Sequence, residues 1–74
     1  MIGKIFTFKY MGNSVYFRVT EIYTPVTYGG TIIKSNTASL YKVGDHYGFY
    51  YKVGKEISEH NYNKILVFEE WLVK

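Results

Sequence analysis

The first third of the chain alternates apolar and polar residues, and this alternation constrains the fold more than any other feature. A period of two is the period of a β-strand, in which successive side chains point to opposite faces. The alternation is interrupted once, by Gly12-Asn13. Glycine at the first position of a two-residue loop is typical of a type II′ turn. The sequence therefore predicts a β-hairpin with one strand over residues 4–11 and the other over residues 14–23.

This loop predicts a register for the hairpin. On one face it pairs Tyr10 with Val15, Phe8 with Phe17, and Phe6 with Val19. The opposite face carries a basic and aromatic set, which consists of Thr7, Lys9, Tyr16, Arg18 and Thr20. A slip by one residue would move each set to the other side. We expect the apolar face to enter the core and the basic face to meet solvent.

The middle of the chain reads as further short strands. Proline cannot donate to a sheet ladder, so Thr24-Pro25 should end the second strand. Residues 28–31 suggest a turn or bulge, and residues 31–34 a short strand. The tetrapeptide Tyr-Lys-Val-Gly occurs at 41–44 and again at 51–54, which suits a meander with strands over 38–43 and 47–53.

The last segment has two interpretations. Ser58 is a candidate helix N-cap, and a short helix near residues 58–63 fits the polar sequence there. Residues 65–68 read Ile-Leu-Val-Phe, whose β-branched and aromatic content favours a strand. We therefore predict a strand in this last part.

Together these segments predict an all-β fold with five or six antiparallel strands. The whole chain, residues 1–74, would form a single small domain that closes as a barrel or a strongly bent sheet, SH3-like or OB-like in architecture. These two comparisons rest on the number and spacing of the strands alone, so they carry no function.

The composition narrows how such a fold is stabilised. With 74 residues the core is small, and the absence of cysteine excludes disulfides and cysteine-bound zinc. Aromatic residues make up 20% of the chain, and Tyr alone accounts for nine of them. Either a dense aromatic core or self-association would compensate for the small size. The chain has no apolar run long enough for a membrane span and no secretory leader, so we expect a cytoplasmic protein.

The sequence offers little for catalysis. His46 and His60 are its two histidines, and neither has partners at the spacing of a metal or catalytic motif. Gly29-Gly30-Thr31 lacks the lysine of a phosphate-binding loop. We therefore expect no enzyme activity, no cofactor and no metal.

Binding is the remaining class of function. Residues 1–55 carry a net charge of +5 and residues 56–74 a net charge of −2, which sum to the overall +3. Tyrosine and arginine are enriched at binding hot spots. The candidate binding residues are Lys9, Tyr16, Arg18, Tyr41, Lys42, Tyr50, Tyr51 and Lys52.

These residues suit two kinds of partner. The first is a protein, or a second copy of the chain, docking on a Tyr/Lys/Arg surface. The alternative is single-stranded nucleic acid or a nucleotide, with lysines on phosphates and tyrosines on bases. The modest net charge favours the protein partner. An amino-acid composition rich in Ile, Lys, Asn and Tyr is typical of reading frames from AT-rich bacteria and their phages. This suggests the hypothesis of a phage or mobile-element factor that blocks a host component in the host cytoplasm.

Overall fold

The protein folds as one antiparallel sheet with a helix beside it. The structure is a computed structural model that describes residues 1–36 and 40–73, with side chains up to residue 68. Its elements are β1 (Ile5–Tyr10), β2 (Asn13–Thr24), β3 (Thr27–Ser35), β4 (His46–Tyr50), β5 (Lys55–Ile57) and α1 (Glu59–Val73). The strand order is β4-β3-β2-β1-β5. The prediction of a small antiparallel, predominantly β fold is confirmed.

The sheet is bent so that its two edge strands approach each other. A flat five-stranded sheet would hold β4 and β5 about 19 Å apart. Only residues 51–54 join them, and the amide of Val53 folds back to donate to the carbonyl of Tyr50 at 2.9 Å. Such a turn cannot span a flat sheet, so the sheet must curve. β4 and β5 are nevertheless the two edges of the sheet in the described residues, with no ladder between them.

The inner face of the curved sheet holds the main core. Phe17 of β2 is fully buried, and its ring stacks on Phe49 of β4 with the centroids 3.8 Å apart. The two strands are separated by β3, where Gly30 leaves room for the ring. A Cβ on Gly30 would lie 2.6 Å from Cδ2 of Phe17. The buried members of this core are Phe6, Val15, Phe17, Val19, Tyr28, Ile32 and Phe49.

The hairpin is present, but its predicted register is wrong. The turn residues are Met11 and Gly12, with φ of 52° and 82°, and β1 pairs with β2 as Tyr10↔Asn13 and Phe8↔Val15. Two positive φ values are those of a type I′ turn. Relative to the prediction, every partner moves by two residues. Because a shift of two keeps each side chain on its face, the alternation could identify the faces but not the register.

Two other local predictions are wrong in part. The turn suggested for residues 28–31 is wrong, because these residues lie within β3. The suggested bulge fits the pairing of β2 with β3, whose register shifts between Val19 and Glu21 and between Ile22 and Thr24. Of the predicted strand over 38–43, residues 38 and 39 lie outside the described residues, and residues 40–43 contain no strand. β2 does end at Thr24, as Pro25 predicted.

The predicted C-terminal strand is wrong, because residues 59–73 form α1. The amide of Asn61 donates to Oγ of Ser58 at 3.1 Å, so Ser58 is the N-cap. Tyr62 and Ile65, three residues apart, then pack on Ile5 and Tyr16 at the outer face of the sheet. The cap and this packing outweigh the strand preference of residues 65–68. The described part of the chain contains no helix long and apolar enough to cross a membrane.

Candidate binding groove

A groove of about 820 Å³ lies beside the outer half of β1. Its walls come from both strands of the hairpin, residue 41, the connection between β4 and β5, β5 itself and α1. The lining residues are Thr7, Phe8, Lys9, Tyr10, Ser14, Tyr16, Tyr41, Lys52, Val53, Gly54, Lys55, Ile57 and Ile65. Three are lysines and none is a carboxylate, so the groove is basic as well as aromatic.

The groove exists because β5 is shorter than β1. β5 pairs with residues Ile5 to Thr7 of β1, and β1 continues to Tyr10 without a partner strand on that side in the described residues. Gly54 precedes β5, and a Cβ there would lie 3.1 Å from the carbonyl oxygen of Thr7. A glycine thus lets the connection approach β1 closely before β5 begins. Beyond this point the edge of β1 pairs with no described strand, and we call it the open edge.

Tyr41 forms an aromatic wall of the groove. Its ring packs edge-on against Phe8 and Tyr10, with centroids 5.1 and 5.2 Å away. It also packs at a tilt against Tyr47, whose centroid is 5.1 Å away. Tyr41 also has a φ of 55°, in the left-handed region that bulky residues rarely adopt. The three ring contacts hold this strained backbone in place. The wall is therefore formed before any ligand arrives.

The lysines of the groove differ in their pairing from the cations nearby. Lys4 and Arg18 form salt bridges of 3.0 Å with Glu56 and Glu59. Among the described residues, Lys9, Lys52 and Lys55 form no salt bridge, although the ammonium of Lys52 lies 5.6 Å from the ring centroid of Tyr51. Their charge is thus available to a ligand.

The structure brings together four of the eight predicted binding residues. Lys9, Tyr16, Tyr41 and Lys52 all line the groove. Tyr16, however, is only 7% exposed and packs on the ring of Tyr62, so the expectation that it faces solvent is wrong. α1 covers this part of the hairpin face, and no sequence pattern had placed it there.

The other four predicted residues lie outside the groove. Arg18 donates to the carbonyl of Gly3 at 2.8 Å and pairs with Glu59, in a separate small pocket. Lys42 is exposed on the loop before β4. Tyr50 and Tyr51 are 50% and 43% exposed, with their ring centroids 5.2 Å apart. They form a second aromatic corner next to Lys52.

Sequence reasoning missed the contributions of Lys55, Phe8 and Tyr10 to the groove. The hairpin pattern assigned Phe8 and Tyr10 to the core, and both are in fact half-buried at its rim. Lys52 and Lys55 lie three residues apart on either side of Val53-Gly54, and this spacing could have predicted a tight turn between them. A tight turn between two lysines brings both to the same edge.

Two other clusters lie apart from the groove. On the outer surface of the sheet, the Glu21 carboxylate contacts Nε2 of His46 at 2.8 Å and accepts a hydrogen bond from the Tyr23 hydroxyl at 2.9 Å. This hydrogen bond, with smaller contributions from desolvation and the charge of Glu21, raises the pKa of Tyr23.

On α1, Val67 and Phe68 line a pocket of about 450 Å³ and are 65% and 60% exposed. Its walls come from a single helix, so it offers less enclosure than the groove.

Comparison of the chain with known protein families, with characterised proteins and with solved structures gives no match.

Proposed function

We propose that this protein is a non-catalytic binding module that docks on a protein partner through the groove beside β1. One observation carries the proposal. Three lysines that form no salt bridge with any described residue, Lys9, Lys52 and Lys55, line the same groove as the preformed ring of Tyr41 and the open edge of β1. Protein interfaces combine such aromatic anchors with charged groups at their rim.

The chemistry of the groove defines the kind of partner. Its lysines favour acidic groups, and the edge-packed rings of Phe8, Tyr10 and Tyr41 offer apolar contact. The phage hypothesis fits here as well: a module that occupies a surface of a host protein would block that protein without any chemistry.

Selection from a library of random dodecapeptides, displayed against the full chain, tests the proposal. We expect enrichment of acidic peptides and loss of their binding, at least tenfold in Kd, in the double variant Lys9→Glu/Lys52→Glu. The matched control is Lys42→Glu/Lys64→Glu, which makes the same change in net charge at exposed positions outside the groove. Equal binding by the two variants, or no enrichment, would refute the proposed site.

Binding of single-stranded nucleic acid is the second candidate, because of the Tyr50–Tyr51 corner beside Lys52. Exposed rings can stack on bases while lysines contact phosphates. Titration with oligothymidylate at two salt concentrations separates the candidates. This function predicts affinity that falls steeply with salt and is weakened at least tenfold by Tyr50→Ala/Tyr51→Ala. The protein-docking function predicts no measurable oligothymidylate binding and no effect of that variant on the selected peptides.

A further inference from the structure

The open edge of β1 points to the binding mode. Resting on the proposed function, we infer that the partner contributes an extended acidic segment, which pairs with residues 8–10 of β1 as an additional strand of the sheet. The inference depends on where the backbone groups of β1 point, on the two sides of the groove, and on its charge.

The hairpin register fixes the direction of the backbone groups. Tyr10 and Asn13 flank the two-residue turn, and in such a hairpin this pair exchanges hydrogen bonds across the strands. Alternate residues of β1 therefore bond to β2, and the N–H and C=O groups of Lys9 point the other way. Thr7, two residues earlier, points the same way and lies opposite Lys55 of β5. At Lys9 no described strand continues the ladder.

The groove flanks this edge on both faces of the sheet. Phe8, Tyr10 and Tyr41 lie on the side of the main core, whereas Tyr16 and Ile65 lie on the side of α1. A strand directs successive side chains to opposite faces. An extended segment in the ladder position could thus place one side chain against each wall. Recognition by strand addition combines main-chain hydrogen bonds with such alternating contacts.

The positive charge of the groove indicates which kind of segment would pair with β1. Lys9, Lys52 and Lys55 border the edge, and none of the described residues that line the groove is a carboxylate. An acidic segment would neutralise these charges. A second copy of this chain is a poorer occupant, because antiparallel pairing of two β1 edges about residue 9 would set Lys9 opposite Lys9. Like charges directly opposite each other destabilise a strand pair.

Hydrogen exchange of the full chain, measured by NMR with the most enriched selected peptide, tests the ladder. At saturation we expect exchange of the Lys9 amide to slow at least tenfold. The Tyr10 amide, which already faces β2, should change much less. This pair of neighbouring amides distinguishes strand addition from general shielding of the groove.

N-methylation of the peptide, one residue at a time, gives a second readout that does not depend on the folding of a protein variant. Removal of the N–H that faces β1 should weaken binding at least tenfold, whereas methylation of the adjacent residues should matter far less. If every methylated peptide binds equally and the Lys9 amide stays unprotected, strand addition is wrong, although a groove-dependent peptide would still support the proposed function. Failure to select any peptide, groove-dependent oligothymidylate binding, or dimerisation through the groove in sedimentation would overturn both.

Discussion

The two faces of the hairpin differ in how completely they are covered. The inner face is enclosed by the curvature of the sheet, and Val15 and Phe17 on it have no exposed surface. The outer face relies on α1, which covers Ile5 and Tyr16 but leaves Lys9 exposed. The candidate groove lies where this cover ends. The basic and aromatic strand face is therefore exposed only over the part that the described residues of α1 do not cover.

The largest effect is expected from the enclosed face. Phe17→Ala removes a fully buried ring that stacks on Phe49, and we expect a loss of about 3–5 kcal/mol in the free energy of unfolding. Urea denaturation followed by circular dichroism measures this loss. Phe68→Ala, at a ring that is 60% exposed on α1, is the control and should change stability by less than about 0.5 kcal/mol. Equal losses would show that the inner face is not the main core.

A smaller effect is expected where α1 begins to cover the outer face. Ser58→Ala removes the acceptor of the Asn61 amide and should cost about 1 kcal/mol. Ser58→Asp keeps an acceptor at the cap and should restore stability. If alanine and aspartate behaved alike in thermal unfolding, the cap would not be what anchors the helix.

The same contrast explains what the sequence could and could not predict. Period-two alternation identified the two faces of the hairpin, since each residue's face depends only on parity. It could not identify the turn at Met11-Gly12, because a register shift of two residues preserves parity. Residues 65–68 favour a strand by composition. They form a helix instead because Ser58 caps it and because Tyr62 and Ile65 pack on the sheet, a long-range contact that composition does not show. Lys9, Tyr41 and Lys52 were named as candidate binding residues, but the alternation could not show that they line one groove, because this depends on how the sheet bends. The pairing of Arg18 with Glu59 likewise depended on the helix that was missed.

Tyr28 on the enclosed face gives a pH-dependent prediction of intermediate size. Burial raises the pKa of this phenol above its usual value of 10.0, and its hydroxyl donates to the carbonyl of Tyr51 at 3.3 Å. Because the folded protein holds this proton more tightly than the unfolded chain, the contribution is complete below pH 10 and decreases as pH rises through the folded-state pKa. Tyr28→Phe should cost about 0.5–1 kcal/mol at pH 7. The difference from the wild type should shrink above pH 10 in denaturant titrations, and a constant difference up to pH 11 would contradict the raised pKa.

The smallest effects are expected for the two cations at the ends of the outer face, Arg18 and Lys9, which differ in whether they pair with α1. Arg18 and Glu59 form an exposed salt bridge, so a double-mutant cycle with Arg18→Gln and Glu59→Gln should give a coupling of about 0.2–1 kcal/mol, reduced by salt. Lys9 lies on the same face but has no carboxylate partner among the described residues. Combining Lys9→Gln with Glu59→Gln should therefore give a coupling near zero. Two single variants then separate a cation that stabilises the fold from one that is available to a ligand. Lys9→Gln should weaken binding of the selected peptides and leave stability unchanged. Arg18→Gln should lower stability and leave peptide binding unchanged. A coupling of Lys9 to Glu59 as large as that of Arg18 would mean that α1 neutralises the whole face, and the groove would lose the charge on which its proposed function depends.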